Sequence, residues 1–263
     1  MIKQLLFACS ATVLILTLAT SCRNKNRNNN ATDTLGYEIK SLTTSFNNCN
    51  VDSPDCSHIT YTFPFFNTPG ATADSLNAYI KFMLGEKTGS NTLQKTQNNF
   101  MADYTTYLKD TDTPQVWYSQ TNIDVAYQHN KIVSLKIEMD DYTGGAHGMI
   151  STAYQVFDKT TNKVLMQPNL IKKDKAQELL AIAERSFRKN AELNDTTDLE
   201  KAGYWFKDNS FYLTENYCVT SDGITWLYNP YEIAPYAQGT IELFLTKEEL
   251  APYINETYKD IWD

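Results

Sequence analysis

The heptapeptide Tyr142-Thr143-Gly144-Gly145-Ala146-His147-Gly148 constrains the fold more than any other stretch of this chain. It separates two strand-like runs, Ile132 to Met139 and Ser151 to Asp158, so it must turn the chain. Glycine alone visits positive φ cheaply and lets a second backbone come close, so three glycines in five positions predict a fixed, unusual loop. His147 is held inside that loop. Two readings fit it: a tight connection whose histidine bonds a neighbouring strand, or a histidine presented for catalysis or metal binding.

The rest of the chain alternates strand and helix patterns. Tyr37 to Lys40 and His58 to Phe63 read as a hairpin. Between them Cys49 and Cys56 flank a turn-rich hexapeptide, Asn50 to Asp55, which can bring the strand ends within bridging distance; a disulfide is expected there. Period-two alternation puts Ile59, Tyr61 and Phe63 on one face and His58 on the other, solvent-facing side, which makes His58 a poor ligand candidate. Asp74 fits an N-cap for Leu76, Tyr79, Ile80, Met83 and Leu84 at helical spacing. A second helix is predicted over residues 97–109 and a third after Asp174, with Leu179, Ala183 and Phe187 on its buried stripe.

Further strands are predicted at Val116 to Ser119, Ile123 to Gln128, Ser210 to Val219, Ile224 to Tyr228 and Ile241 to Leu245. Asp222-Gly223 is a hairpin turn, and the short connections favour antiparallel pairing. Pro230 and Pro235 each remove an amide donor, so residues 230–239 must be irregular. Thr246 and Glu249 fit a capping box. Interspersed hairpins and helices give an α+β fold with mostly antiparallel sheets and a few packed helices, in two sub-domains, residues 35–120 and 121–263.

The first 21 residues stand apart from that body. Lys3 precedes a largely apolar run, Leu5 to Leu18, and then Ala19-Thr20-Ser21-Cys22, the pattern of a secretion signal. Small residues directly before a cysteine resemble the lipobox of bacterial lipoproteins, in which Cys22 is lipidated and becomes the mature N-terminus. Residues 22–34 then read as a solvated tether, since Arg23 to Asn30 holds only Arg, Lys and Asn. The expected location is the cell envelope, with the chain held to the membrane through its lipid.

The formal charge of −8 becomes −8 − 4 = −12 for residues 31–263 once Lys3, Arg23, Lys25 and Arg27 are removed. So acidic a body disfavours nucleic acid and favours a basic protein partner. Glycine spacing for a nucleotide is missing, and His58, His129 and His147 are too scattered for a zinc site, so no cofactor or metal is expected. Asp140, Asp141 and His147 are the nearest approach to a metal set. Ser151 lacks a nucleophile-elbow pattern and Cys218 lacks a nearby histidine, so no catalytic set is visible and Cys218 reads as a buried, inert thiol. What the chain offers is 17 tyrosines, with Tyr228, Tyr231 and Tyr236 gathered around the two prolines. Tyrosines on a braced loop make recognition surface at low entropic cost, or else pack the core; both readings stand.

Two motifs carry a family resemblance. Tyr142-x-Gly144-Gly145-Ala146-His147-Gly148 before an aliphatic strand, and Asn229-Pro230-Tyr231-Glu232-Ile233-Ala234-Pro235-Tyr236-Ala237-x-Gly239 after Asp222-Gly223-Ile224, are similar to an envelope domain of largely unknown function. That domain forms the extracellular part of RsiV-type anti-sigma factors, which sense lysozyme, and accompanies the catalytic domain of PdaC-type peptidoglycan deacetylases. Lipobox, acidic body and resemblance together lead to the expectation of an envelope ligand-binding protein without catalysis, taking lysozyme or cell-wall glycan, with Tyr231 and Tyr236 of the proline-braced loop as first candidate binding residues and Tyr142, Gly144, Gly145 and His147 as second. The sigma-binding segment and spanning helix of the anti-sigma arrangement are not seen. An envelope hydrolase acting on peptidoglycan or polysaccharide is the competing expectation.

Overall fold

The computed structural model describes residues 34–86 and 92–263, so the expected signal, Cys22 and nearly all of the tether lie outside the described residues. Strands β1 (Tyr37–Ser45) and β2 (His58–Phe66) form the expected hairpin, closed by the Cys49–Cys56 disulfide with Cα atoms 5.6 Å apart. Helices α1 (Ala71–Met83) and α2 (Leu93–Tyr107) follow, then β3 (Tyr118–Gln128), β4 (Ile132–Tyr142), β5 (Met149–Asp158) and the short β6 (Lys163–Val164). These six strands make one sheet in chain order. All its pairings are antiparallel except β2–β3, which is parallel, so the sheet is mostly antiparallel as expected. The cause of the parallel pair is the α1–α2 crossover, long enough to return the chain to the starting edge.

Helix starts moved for identifiable reasons. Gly70, not Asp74, precedes α1; the Asp74 amide donates to the Gly70 carbonyl, and its carboxylate sits in the first turn where the helix dipole favours it. Thr92 caps α2 by accepting from the Lys95 amide, so the helix starts at Leu93, four residues before the predicted start. The early turn is polar yet packed, because Gln97 is buried and its amide bonds the carbonyls of Leu42 and Ile59.

The C-terminal half begins with α3 (Gln167–Leu170) and α4 (Ala176–Asn190), which Lys175 rather than Asp174 precedes, so it starts one residue later than an Asp174 cap would place it. Strands β7 (Tyr217–Val219), β8 (Gly223–Tyr228) and β9 (Ile241–Thr246) form an antiparallel sheet, and α5 (Lys247–Leu250) opens with the predicted Thr246/Glu249 capping box. The strand predicted from Ser210 shrinks to Tyr217–Val219. Its first part packs instead of pairing: Phe211 enters the core against Phe187 and Phe206.

Among the described residues two large hydrophobic cores form, with a small third cluster of Tyr154, Cys218 and Leu227. On one face of the large sheet Ile59, Tyr61, Phe63, Ile123, Leu135 and Ile137 pack with Leu76 and Ile80 of α1. On the other, Ile132 and Val156 join Trp226, Tyr228, Leu243 and the Leu179/Phe187 stripe of α4. The boundary expected between residues 120 and 121 falls inside β3, and the sheet runs from Tyr37 to Val164. Cys218 is buried, and burial pushes its thiol up to about 12, as an inert core residue requires.

Candidate functional site

Strand register builds one side of the site. His58 of β2 lies opposite Tyr118 of β3, and Tyr118 opposite Tyr142 of β4, on the face turned away from α1 and α2. Their rings form a row, with centroids 6.2 and 5.9 Å apart. The next row on that face is Thr60, Gln120 and Asp140. Sequence alternation assigned His58 to the correct face, but its side chain is only 7% exposed. The disulfide loop and Tyr118 cover it. Its Nδ1–H donates to the Cys56 carbonyl at 2.9 Å, and the Gln120 amide donates to its Nε2 at 2.9 Å.

Beyond Tyr142 the chain enters the glycine loop. Gly144 and Gly145 have φ of 100° and 101°, which a side chain would strain, and this is what the glycine count implied. The Tyr142 hydroxyl donates to the Gly145 carbonyl at 2.8 Å, and the Gly145 amide donates to Gln115 Oε1 at 3.0 Å. Gly148 makes a close approach: a Cβ there would lie 3.2 Å from both the Asp141 carbonyl and the Tyr118 hydroxyl, so one of them would have to shift slightly. The loop thus presents His147, exposed, with its Nδ1–H donating to the Gly148 carbonyl at 2.7 Å.

The second loop meets the first at that point. Tyr236 stacks on the His147 ring with centroids 4.3 Å apart, and its hydroxyl donates to the same Gly148 carbonyl at 3.2 Å. Tyr231 stands 5.5 Å from Tyr236, is 50% exposed, and holds φ at 68°, a left-handed geometry unusual for a bulky residue. Six residues separated by up to 94 positions in sequence therefore share one surface: Tyr142, Gly144, Gly145, His147, Tyr231 and Tyr236.

Two asparagines set this meeting, and sequence reasoning missed both. Strand β6 pairs only with Phe157 and Asp158, which leaves the earlier edge of β5 open. Asn229, at the root of the proline loop, accepts from the Thr152 amide at 2.7 Å and donates to the Thr152 carbonyl at 3.0 Å. Asn216 accepts from the Tyr154 amide at 2.6 Å and donates to the Thr152 carbonyl at 2.8 Å. Side-chain amides thus stand in for a neighbouring strand. Tyr118, Gln120 and Gln115 were missed as well; the alternation Tyr118-x-Gln120 against Asp140-x-Tyr142 is a usable signal only once β3–β4 register is known.

Beside the aromatic row lies a hollow of about 410 Å³, lined by Val51, Asp52, His58, Val116, Tyr118 and Asp140 among others, with no lysine or arginine in its walls. Burial, and then the Asp140 carboxylate to which it is hydrogen-bonded, push the Tyr118 phenol above its ordinary value. The surface is therefore aromatic and acidic. Among the described residues no group of three His, Cys, Asp or Glu side chains is arranged to hold a metal ion.

Two family profiles match the chain: one described as deacetylase PdaC over residues 50–150, and one described as a protein of unknown function, DUF3298, over residues 165–248. The chain thus carries a PdaC-type region followed by a DUF3298-type region. The glycine loop closes the PdaC-type region and the proline loop lies in the DUF3298-type region, so the candidate site is assembled from both. A crystal structure of a DUF3298 family member from Bacteroides fragilis matches with a TM-score of 0.65 at 22% identity, covering 86% of this chain and 96% of that one. One from Pseudomonas aeruginosa matches with a TM-score of 0.64 at 20% identity, covering 85% and 96%. At that identity the likeness is one of fold, and it agrees with the α+β expectation. No curated protein matches the sequence. PdaC-type domains point to an extracellular or envelope protein, and among the described residues no helix is long and apolar enough to cross a membrane.

Proposed function

We propose that this PdaC/DUF3298 protein is a lipid-anchored envelope module that binds a basic protein such as lysozyme, without catalysis, on the surface where its two loops meet. The observation that carries the reading is Tyr231. A purely structural loop would place glycine or asparagine at φ 68°, yet here a large aromatic takes that geometry while half exposed. Left-handed backbone costs about 1–2 kcal/mol for a residue with a Cβ, and such strain clusters at functional positions. Tyr236 and His147 beside it form a braced aromatic group, the usual make-up of an interface anchor. Asp140, Asp141 and the net −12 of residues 31–263 supply attraction for a cationic partner. The neighbours of His147 are a carbonyl and an aromatic ring rather than a nucleophile, in keeping with binding.

Cell-wall glycan is the second reading, and the hollow favours it: Tyr118 offers a ring face, while Asp140 and Gln120 offer acceptors and donors for hydroxyls. Binding and stability of a Tyr231→Gly variant separate a functional tyrosine from a structural one. Glycine relieves the backbone, so stability should hold or rise, whereas affinity for lysozyme should fall roughly thirtyfold, about 2 kcal/mol. An affinity equal to wild type would place the site elsewhere. Absence of wild-type binding at low salt would remove lysozyme, and saturable binding of muropeptides would then support the glycan reading; their turnover would instead establish a hydrolase. The anchor has its own test: Cys22→Ala should release the chain from the membrane fraction or block its processing, and normal retention would defeat the lipoprotein assignment.

A further inference from the structure

The first strand of the large sheet is an edge: among the described residues no strand pairs with it on the side away from β2. β1 pairs with β2 through nine unbroken register positions, carries no proline or bulge, and exposes Tyr37 through Thr43 on both faces, with Ile39 54% exposed. Such an edge invites strand addition. Hydrogen-bond parity shows which groups are open. The Asn67 amide donates to the Gly36 carbonyl and the Phe46 amide donates to the Ser57 carbonyl, so even-numbered residues of β1 bond β2 throughout the unshifted register. Tyr37, Ile39, Ser41 and Thr43 therefore direct their amides and carbonyls outward.

We propose that β1 pairs antiparallel with β1 of a second copy of this chain, about a two-fold axis at Ile39, joining the two six-stranded sheets. Any two-fold axis through a residue sets outward-bonding residues against one another, and of these axes the one at Ile39 alone places Glu38 of each copy opposite Lys40 of the other. Both reciprocal pairs are then of opposite charge, the isologous complementarity a two-fold contact needs. Within one copy Lys40 lies 3.4 Å from Glu38 and over the Phe65 ring, with both charged side chains substantially exposed and free to re-pair. The hydrogen bonds of helix α2 to β1, from Gln94 and Gln97, fall on Leu42 and Thr44, and among the described residues Tyr37 to Ser41 remain exposed. Ile39 would meet Ile39 on the axis, and each Tyr37 would meet a Ser41.

Sedimentation equilibrium of the full chain in a nonionic detergent tests this. Wild type should dimerise; Glu38→Lys alone and Lys40→Glu alone, which set like charges opposite each other, should each weaken the dimer at least tenfold, and the double exchange should restore it. Ile39→Pro removes an outward amide that β2 does not use, so it should abolish the dimer while circular dichroism and the Cys49–Cys56 bridge stay unchanged. A monomeric wild type, or a dimer indifferent to the single charge exchanges, would overturn the proposal.

Discussion

A double-mutant cycle between His147 and Tyr236 measures whether the two loops hold one another. The pair is in direct contact, with rings stacked at 4.3 Å and 24° between planes, and both residues donate to the Gly148 carbonyl, at 2.7 and 3.2 Å. An aromatic pair contributes about 0.5–1.5 kcal/mol beyond the area it buries. The Tyr236 hydroxyl bond adds about 1 kcal/mol net, discounted here because a partly exposed carbonyl can turn to water. Tyr236→Phe should thus cost about 0.5–1 kcal/mol, Tyr236→Ala about 2 kcal/mol, and His147→Ala about 1 kcal/mol. The double alanine variant should fall short of the sum by about 1 kcal/mol, since the second substitution has no stack left to remove. Equilibrium urea unfolding with an unchanged slope gives each value. A coupling smaller than about 0.3 kcal/mol, the scatter expected of independent sites, would refute the claim that the stack joins the loops.

Two further outcomes follow from the packing. A Cβ built at Gly223 would sit 2.1 Å from the Leu245 carbonyl and 2.9 Å from the Thr246 Cα, so Gly223→Ala must push β8 and β9 apart and should cost about 3 kcal/mol in urea unfolding; a loss below about 1 kcal/mol would show that the hairpin yields easily. Tyr79 and Tyr154 are pushed up to about 12 by burial, Tyr154 also by Glu242, and Tyr258 to about 12 by burial and its bond to Asp158. The unfolded chain loses these protons near pH 10 while the folded chain keeps them, so their contribution is complete below about pH 10 and is lost as pH rises to about 12. A urea midpoint that stays level across that window would contradict the assignment.

Local chemistry was legible in the sequence, because it depends on neighbours a few residues away. The Cys49–Cys56 bridge, the positive φ of Gly144 and Gly145, the Asp222-Gly223 hairpin, the Thr246/Glu249 capping box and the irregular proline loop all follow from residue type and spacing. So do the buried stripe of α4 and the alternation of β2. The α+β class follows from the order of such patterns. Register and docking do not, since both are settled by contacts between residues far apart in the chain. The parallel β2–β3 pairing set His58 beside Tyr118, and the disulfide loop then buried a histidine that alternation alone left in solvent. Ser210 to Asn216 has strand composition, but the core needed Phe211 more than the sheet needed another ladder. The meeting of His147 with Tyr236 rests on Asn216 and Asn229 completing the open edge of β5, and an asparagine carries no mark in the sequence of which distant backbone it will bond.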